Sequence, residues 1–254
     1  MGAELVRTFD IYQVISRAMG AMNARLLNHG EIVGYIFYNM LKVEGKYSDT
    51  ELAEWALISM LHDVGAIKTN MNNASLATIE TTNVWAHSIY GYLFLRYLSP
   101  VGDKAEVVLY HHLPYKLHEQ INSRYIREAQ YLTIADKMDL FARAEGHNMP
   151  RDYFSTQGDI DFAQKALERF YVAQKRFHVL DKLKTGEYKQ EMSALFKSAA
   201  FNEQQKKGFL EMLVYSIDFR SQQTVIHTMS TKAFSLEIGK LMNVGTRDLE
   251  ILYY

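Results

Sequence analysis

An all-α fold follows from three observations. Apolar residues recur at steps of three and four through most of the chain. Period-two alternation and the Asn-Gly or Asp-Gly hairpin signal are absent. Only 3 prolines interrupt 254 residues. Residues 23–43 read as an amphipathic helix with Leu26, His29, Val33, Ile36 and Met40 on its buried stripe, closed by Gly45. Ser48 with Glu51 forms a capping box opening a helix through Leu52, Trp55, Ser59 and Asp63. Gly65 is expected to stop that helix in a left-handed cap. Residues 70–83, rich in Asn and Thr, read as a loop. A third helix carries Val84, His87, Gly91, Phe94 and Leu98 on one face and ends before Pro100. Asp103 with Glu106 is expected to cap a fourth, running to His111-His112 just before Pro114. A fifth runs from about Ser123 to Arg143, with Ala129, Leu132, Asp136 and Leu140 on one stripe. After a polar connection at 145–158, one long helix is expected through Ala163, Leu167, Phe170, Phe177 and Leu180. Asn202 with Gln205 caps another that ends near Ser216.

Composition narrows the functional classes. Apolar content of 48% supports a substantial core, and a net charge of −1 gives no electrostatic footprint for nucleic acid polymers or anionic membranes. The chain has no cysteine, which removes disulfides, cysteine zinc sites and thiol nucleophiles. No apolar run approaches the length of a membrane span, and Met1 to Asp10 lack the build of a signal peptide, so the expected location is the cytoplasm.

The chemistry lies in the placement of histidines and acids. His29, His62-Asp63, His87, His111-His112 and Asp136 follow one another at gaps of 33, 25, 24 and 24 residues, each about one helix hairpin. Each helix of a five-helix core therefore delivers one or two ligands to a common centre, a familiar way for helical proteins to build metal sites. Taken singly, His29 or His87 would be an ordinary packed histidine and Asp136 a paired buried acid. Taken together, the seven would require seven separate explanations for buried polar groups. They are too many for one tetrahedral zinc and suit two ions bridged by a carboxylate, for which Asp63 is the natural choice. Mixed imidazole and carboxylate ligation suits Fe, Mn, Zn or Ni. His118, His147 and His178 lie in polar surroundings and read as solvated.

On these residues the chain resembles the HD superfamily of metal-dependent phosphohydrolases over about residues 23–143. It looks most like the HD-GYP branch, bacterial phosphodiesterases that open cyclic di-GMP. The resemblance implies one metal held by His29, His62, Asp63 and Asp136 and a second by Asp63, His87, His111 and His112. The adjacent His-His pair distinguishes this branch from simpler HD hydrolases. The sequence also departs from the branch. The lysine of its His-Asp-x-Gly-Lys motif is replaced by Ala66, with Lys68 two positions on. The Gly-Tyr-Pro loop after the His-His pair is absent, and an acid that supports a third metal in some members is Arg25.

The expected function is hydrolysis of a phosphodiester, a cyclic dinucleotide or related nucleotide, by a metal-activated water, with Asp63 bridging and Lys68 or Arg25 meeting substrate. The alternatives are a non-catalytic metal- or nucleotide-binding scaffold and a di-iron oxygenase on the same scaffold. The expected organisation is a metal-binding domain at 1–145, a helical connector at 146–217 and, at 218–254, the start of a truncated second unit. That last expectation rests on His227, 198 residues after His29, followed by Phe234, Ile238, Leu241 and Gly245 in the order seen in the first unit. Such helices would expose an apolar face, or bury it in a homodimer.

Overall fold

The computed structural model describes residues 6–68, 78, 84–144, 146, 148–218 and 222–253. Among them there is no strand; Gly158 and Phe162 form one isolated bridge. The chain opens with a helix beyond those expected from the apolar periodicity, α1 (Thr8–Met22), which buries Ile11, Ile15 and Met19 along one narrow stripe. Next comes α2 (Ala24–Lys42), capped by the Asn23 side chain, which accepts from the backbone N–H of Arg25 and Leu26. Gly45, at φ +66°, turns the chain out of it. The expected capping box opens α3 (Asp49–Met60): the Glu51 N–H donates to Ser48 Oγ and the Ser48 N–H donates back to Glu51 Oε2 at 2.8 Å.

The helix does not end in a left-handed cap at Gly65. A 3-10 turn, Val64–Ile67, follows instead. Glycine is required there for space: a Cβ on Gly65 would sit 2.0 Å from the His87 carbonyl oxygen. That contact clamps the turn onto α4 (Val84–Leu98), which buries His87, Gly91 and Phe94. The opposite side of α4 exposes Trp85, Ile89, Leu93 and Tyr97. A 3-10 turn, Gly102–Ala105, leads into the short α5 (Glu106–Tyr110). The expected Asp103–Glu106 capping box does not form. Asp103 pairs with Arg96 and Arg124, and Glu106 accepts from the Ser123 hydroxyl, so both acids are engaged by neighbouring segments.

A further 3-10 segment, Tyr115–Gln120, precedes α6 (Ile126–Ala144). Then come α7 (Arg151–Gln157), α8 (Gln164–Phe177) and α9 (Val179–Thr185). The expected long helix is thus broken at His178, which sits at φ 54°. The remaining helices are α10 (Tyr188–Ser198), α11 (Glu203–Asp218), α12 (Gln222–Leu241) and α13 (Thr246–Tyr253). Asn202 and Gln205 cap α11 reciprocally, at 3.0 and 2.8 Å.

Helix α2 is central and packs against α1, α3, α6 and α8. One apolar core runs from Ile11 to Leu213, so Phe154, Phe162, Phe170, Phe196 and Phe209 share it with residues 26–138. Residues 154–213 therefore pack onto the core rather than merely connecting. By contrast Phe234, Ile238 and Leu241 on α12 stay 67%, 56% and 81% exposed. No helix among the described residues is long and apolar enough to cross a membrane. The loop expected at 70–83 lies outside the described residues apart from position 78, as does His147.

Candidate metal centre

All seven expected ligands converge at one place. His29 comes from the first half of α2, His62 and Asp63 from the turn after α3, and His87 from α4. His111 and His112 leave the end of α5, and Asp136 comes from α6. Every one is buried except His112, which is half-buried. Asp63 stands in the middle. One of its oxygens is 3.5 Å from Nε2 of both His62 and His87, and the other is 3.7 Å from His29 Nε2. Asp136 lies 3.2 Å from His29 Nε2 and 4.0 Å from His62 Nε2. His87 and His112 meet Nε2 to Nε2 at 2.9 Å.

The donor atoms fall into overlapping sets. Those of His29, His62 and Asp136 lie within 4.8 Å of one another, as do those of His62, Asp63 and His111, and those of His87, His111 and His112. Hydrogen bonds from the outside fix the rings. His62 Nδ1–H donates to the Ser59 carbonyl at 2.8 Å, and His111 Nδ1–H to the Val108 carbonyl at 2.6 Å. Each ring is thereby held in the tautomer whose Nε2 lone pair faces the cluster.

Burial and charge set the protonation. Burial works against a charge on His29, but Asp136 and Asp139 overcome it and hold the imidazole well above its ordinary pKa. His111 is pushed down to about 3 by burial and by its neighbours His62 and His87. His112 is held well below the usual range by burial, His111 and Lys137, and His87 is also lowered, chiefly by burial. Burial would raise Asp63 and Asp136, yet the imidazoles around Asp63 and the Lys137 ammonium beside Asp136 keep both carboxyls low. The cluster therefore presents neutral imidazoles at His87, His111 and His112 and ionised carboxylates at Asp63 and Asp136, the forms in which these groups ligate metals, while the acids beside His29 favour its charged form when no cation takes the proton's place.

A metal fits this donor set on a direct test. Nε2 of His29, His62 and His111, and both oxygens of Asp63 and of Asp136, are buried and make no hydrogen bond. A buried polar atom left without a partner costs about 1–3 kcal/mol. Seven converging lone-pair donors of this kind are what a divalent cation satisfies.

Other expected residues behave differently. Arg25 and Lys68 are exposed, and His227 is exposed on α12. Ala66 is fully buried, so its position gives no surface for a phosphate contact. His118 is not solvated as expected. It is 8% exposed, because the 115–120 turn folds it back onto the Leu113 carbonyl. His178 is exposed, as expected.

Several participants were missed. Asp139 holds His29 Nδ1 and is itself held by Arg143 at 2.6 Å. Arg143 in turn donates to Asn28 Oδ1 at 2.7 Å. Lys137, mostly buried, places its ammonium 3.3 Å from Asp136 Oδ2. Tyr153, from the stretch read as a polar connection, stacks on Phe141 close enough to Asp136 and Lys137 for their charges to act on its hydroxyl. The signal available for Asp139 was its spacing: three residues after Asp136, it falls on the same helical stripe.

An all-helical chain whose helices gather five histidines and two aspartates around a His-Asp pair is the arrangement of an HD domain. Residues 26–140 match the HD domain family, in agreement with the resemblance to the HD superfamily of metal-dependent phosphohydrolases carried by the sequence. Among curated proteins it is similar to the 3'3'-cGAMP-specific phosphodiesterase 1 of Vibrio cholerae, at 26% identity over 144 residues. That alignment covers 54% of this chain and 33% of the relative, so the chain spans about a third of the relative's length. No solved structure gives a significant match.

Proposed function

We propose that this chain hydrolyses a phosphodiester bond in a cyclic dinucleotide or related nucleotide, using two divalent transition-metal ions. The observation that carries the reading is the set of seven buried donor atoms without a hydrogen bond that converge from four segments of an HD domain. His29, His62, Asp63 and Asp136 would hold one ion, and Asp63, His87, His111 and His112 the other. When bound, such ions supply an acidified water and neutralise charge on the phosphate.

The protein's own residues set the stage for that chemistry. Asp63 faces both halves of the cluster and is placed to bridge them. The Asp139 carboxylate fixes the His29 ring from behind. Lys137 and His112 are the members of the site that reach solvent. Substrate phosphate is therefore expected to meet the Lys137 ammonium, in the role the branch gives to the lysine replaced by Ala66. Arg25 and Lys68, both exposed, are proposed to meet outer parts of the substrate. The cyclic dinucleotide is favoured because the Vibrio cholerae relative is named for cleaving one.

The test is hydrolysis of bis(p-nitrophenyl) phosphate, 3'3'-cGAMP and cyclic di-GMP by protein reconstituted with Mn or Fe. Turnover that disappears in Asp63→Asn supports the reading. Metal uptake with no turnover of any of the three would replace it with a non-catalytic scaffold, and oxygen consumption would replace it with an oxygenase.

A further inference from the structure

We propose a second ligand site, for a small nucleotide-like anion, in the cavity of about 710 Å³ between the end of α2, the 115–120 turn, α6 and α8. The volume suits a small-molecule pocket. It is a separate place from the metal centre. On α6 its lining residues Arg127, Gln130 and Tyr131 precede Asp136 by nine, six and five positions. At about 100° per residue they project from flanks roughly 120–180° away from the Asp136 side chain.

The charges in this cavity are unevenly spent. Its buried acid, Glu44, accepts from the Tyr131 hydroxyl at 2.9 Å and pairs with Lys46 at 2.8 Å and Arg127 at 3.7 Å. Arg127 is engaged by Glu128 as well. Arg169 is half-buried and contacts the neutral Tyr131 hydroxyl. Lys165 is exposed at the same rim. Neither Arg169 nor Lys165 has a carboxylate partner among the described residues. The cavity's other acid, Glu119, is exposed on the 115–120 turn. With Glu44 already neutralised, Lys165 and Arg169 against this one exposed acid leave the mouth net positive, which favours an anion.

The floor adds an unspent donor. His118 Nε2 lies 3.0 Å from the Leu113 carbonyl and 3.0 Å from Gln130 Nε2. One ring nitrogen cannot both donate to the carbonyl and accept from the amide. Gln130 cannot turn over, because its Oε1 accepts the Ala163 N–H at 2.6 Å. In the tautomer with His118 donating to Leu113, the Gln130 NH2, on a cavity-lining residue only 3% exposed, has no acceptor at the ring. Tyr115, edge-on to His118 at 5.6 Å, offers a flat wall. Cations for a phosphate, a buried amide donor for a ring acceptor and an aromatic wall for the ring together describe a mononucleotide.

The test is calorimetric titration of the full chain with GMP, with inorganic phosphate and guanosine as separate probes. Saturable GMP binding is expected, unchanged in Asp63→Asn and weakened about tenfold or more in Arg169→Glu and in Lys165→Glu. Phosphate and guanosine should each bind more weakly than GMP. GMP binding that is lost in Asp63→Asn but kept in both charge reversals would assign it to the metal centre and overturn the proposal. No saturable heat at millimolar GMP, or phosphate binding as tightly as GMP, would overturn it too. Should Arg169→Glu unfold, Lys165→Glu decides, because that side chain is exposed. Asp63→Asn also separates this site from the proposed phosphodiesterase activity, since that variant should lose turnover and keep GMP binding.

Discussion

His29 Nδ1 lies 2.7 Å from Asp139 Oδ2, across 110 residues of sequence and inside a fully buried shell. The carboxylate orients the ring so that Nε2 points at Asp63 and Asp136. Partners of this kind usually change metal affinity by about 10–100-fold. Asp139→Asn is therefore expected to weaken one metal site by about that factor. The measurement is competitive metal titration, with circular dichroism to establish that the helices are intact. Unchanged affinity for both ions would remove Asp139 from the site.

Asp63→Asn removes the charge shared by the two halves of the cluster. Elemental analysis after reconstitution is expected to find two ions per chain in the parent and at most one in the variant. Two ions retained in Asp63→Asn would exclude a bridging role.

Lys137→Gln is expected to raise KM for a phosphodiester by on the order of tenfold with a smaller change in kcat, since a ground-state phosphate contact acts on binding. A fall in kcat at constant KM would place the lysine in transition-state stabilisation instead. The equivalent repair at Ala66 is not expected to work, because that side chain is fully buried and a lysine there would overpack the core.

How far the sequence reveals this protein can be judged residue by residue. His29, His87 and Asp136 were legible because each falls on an apolar helical stripe where a polar group needs a reason. Asp139 shares the Asp136 stripe, yet its partner lies 110 residues away, and no local pattern announces a pairing across α2 and α6. Gly65 was read through the commonest habit of glycine at a helix end. Its actual constraint is the His87 carbonyl, which only the packed structure supplies. His118 looked solvated because its neighbours Lys116 and Glu119 are polar; the turn folds the ring inward regardless. Helix α1 went unassigned because Ile11, Ile15 and Met19 form a stripe one residue wide.

Gly65→Ala should test that packing argument. A methyl group 2.0 Å from a backbone oxygen forces the 64–67 turn away from α4. The expected loss is about 1–3 kcal/mol or more in denaturant unfolding. Because the turn carries His62 and Asp63, weaker metal binding should accompany it. A variant as stable as the parent would show that the turn yields without consequence.

Leu241→Glu on α12 probes the opposite case. The side chain is 81% exposed, so the substitution should leave stability within about 0.5 kcal/mol. A large loss would mean that this face is covered in solution, and sedimentation of parent and variant would show whether a second copy covers it.

The chain has 2 tryptophans, and the fold treats them in opposite ways. Trp55 is 3% exposed, edge-on to Tyr125, with the Lys104 ammonium over its ring. Trp85 is 43% exposed and stands two residues before His87 on the same helix. Their fluorescence should separate by colour, blue for the indole in the interior and red for the one in water. Quenching by iodide should silence the red component first. The protein thus carries two built-in optical reporters, one for the integrity of the core and one for the helix that brings His87 to the cluster.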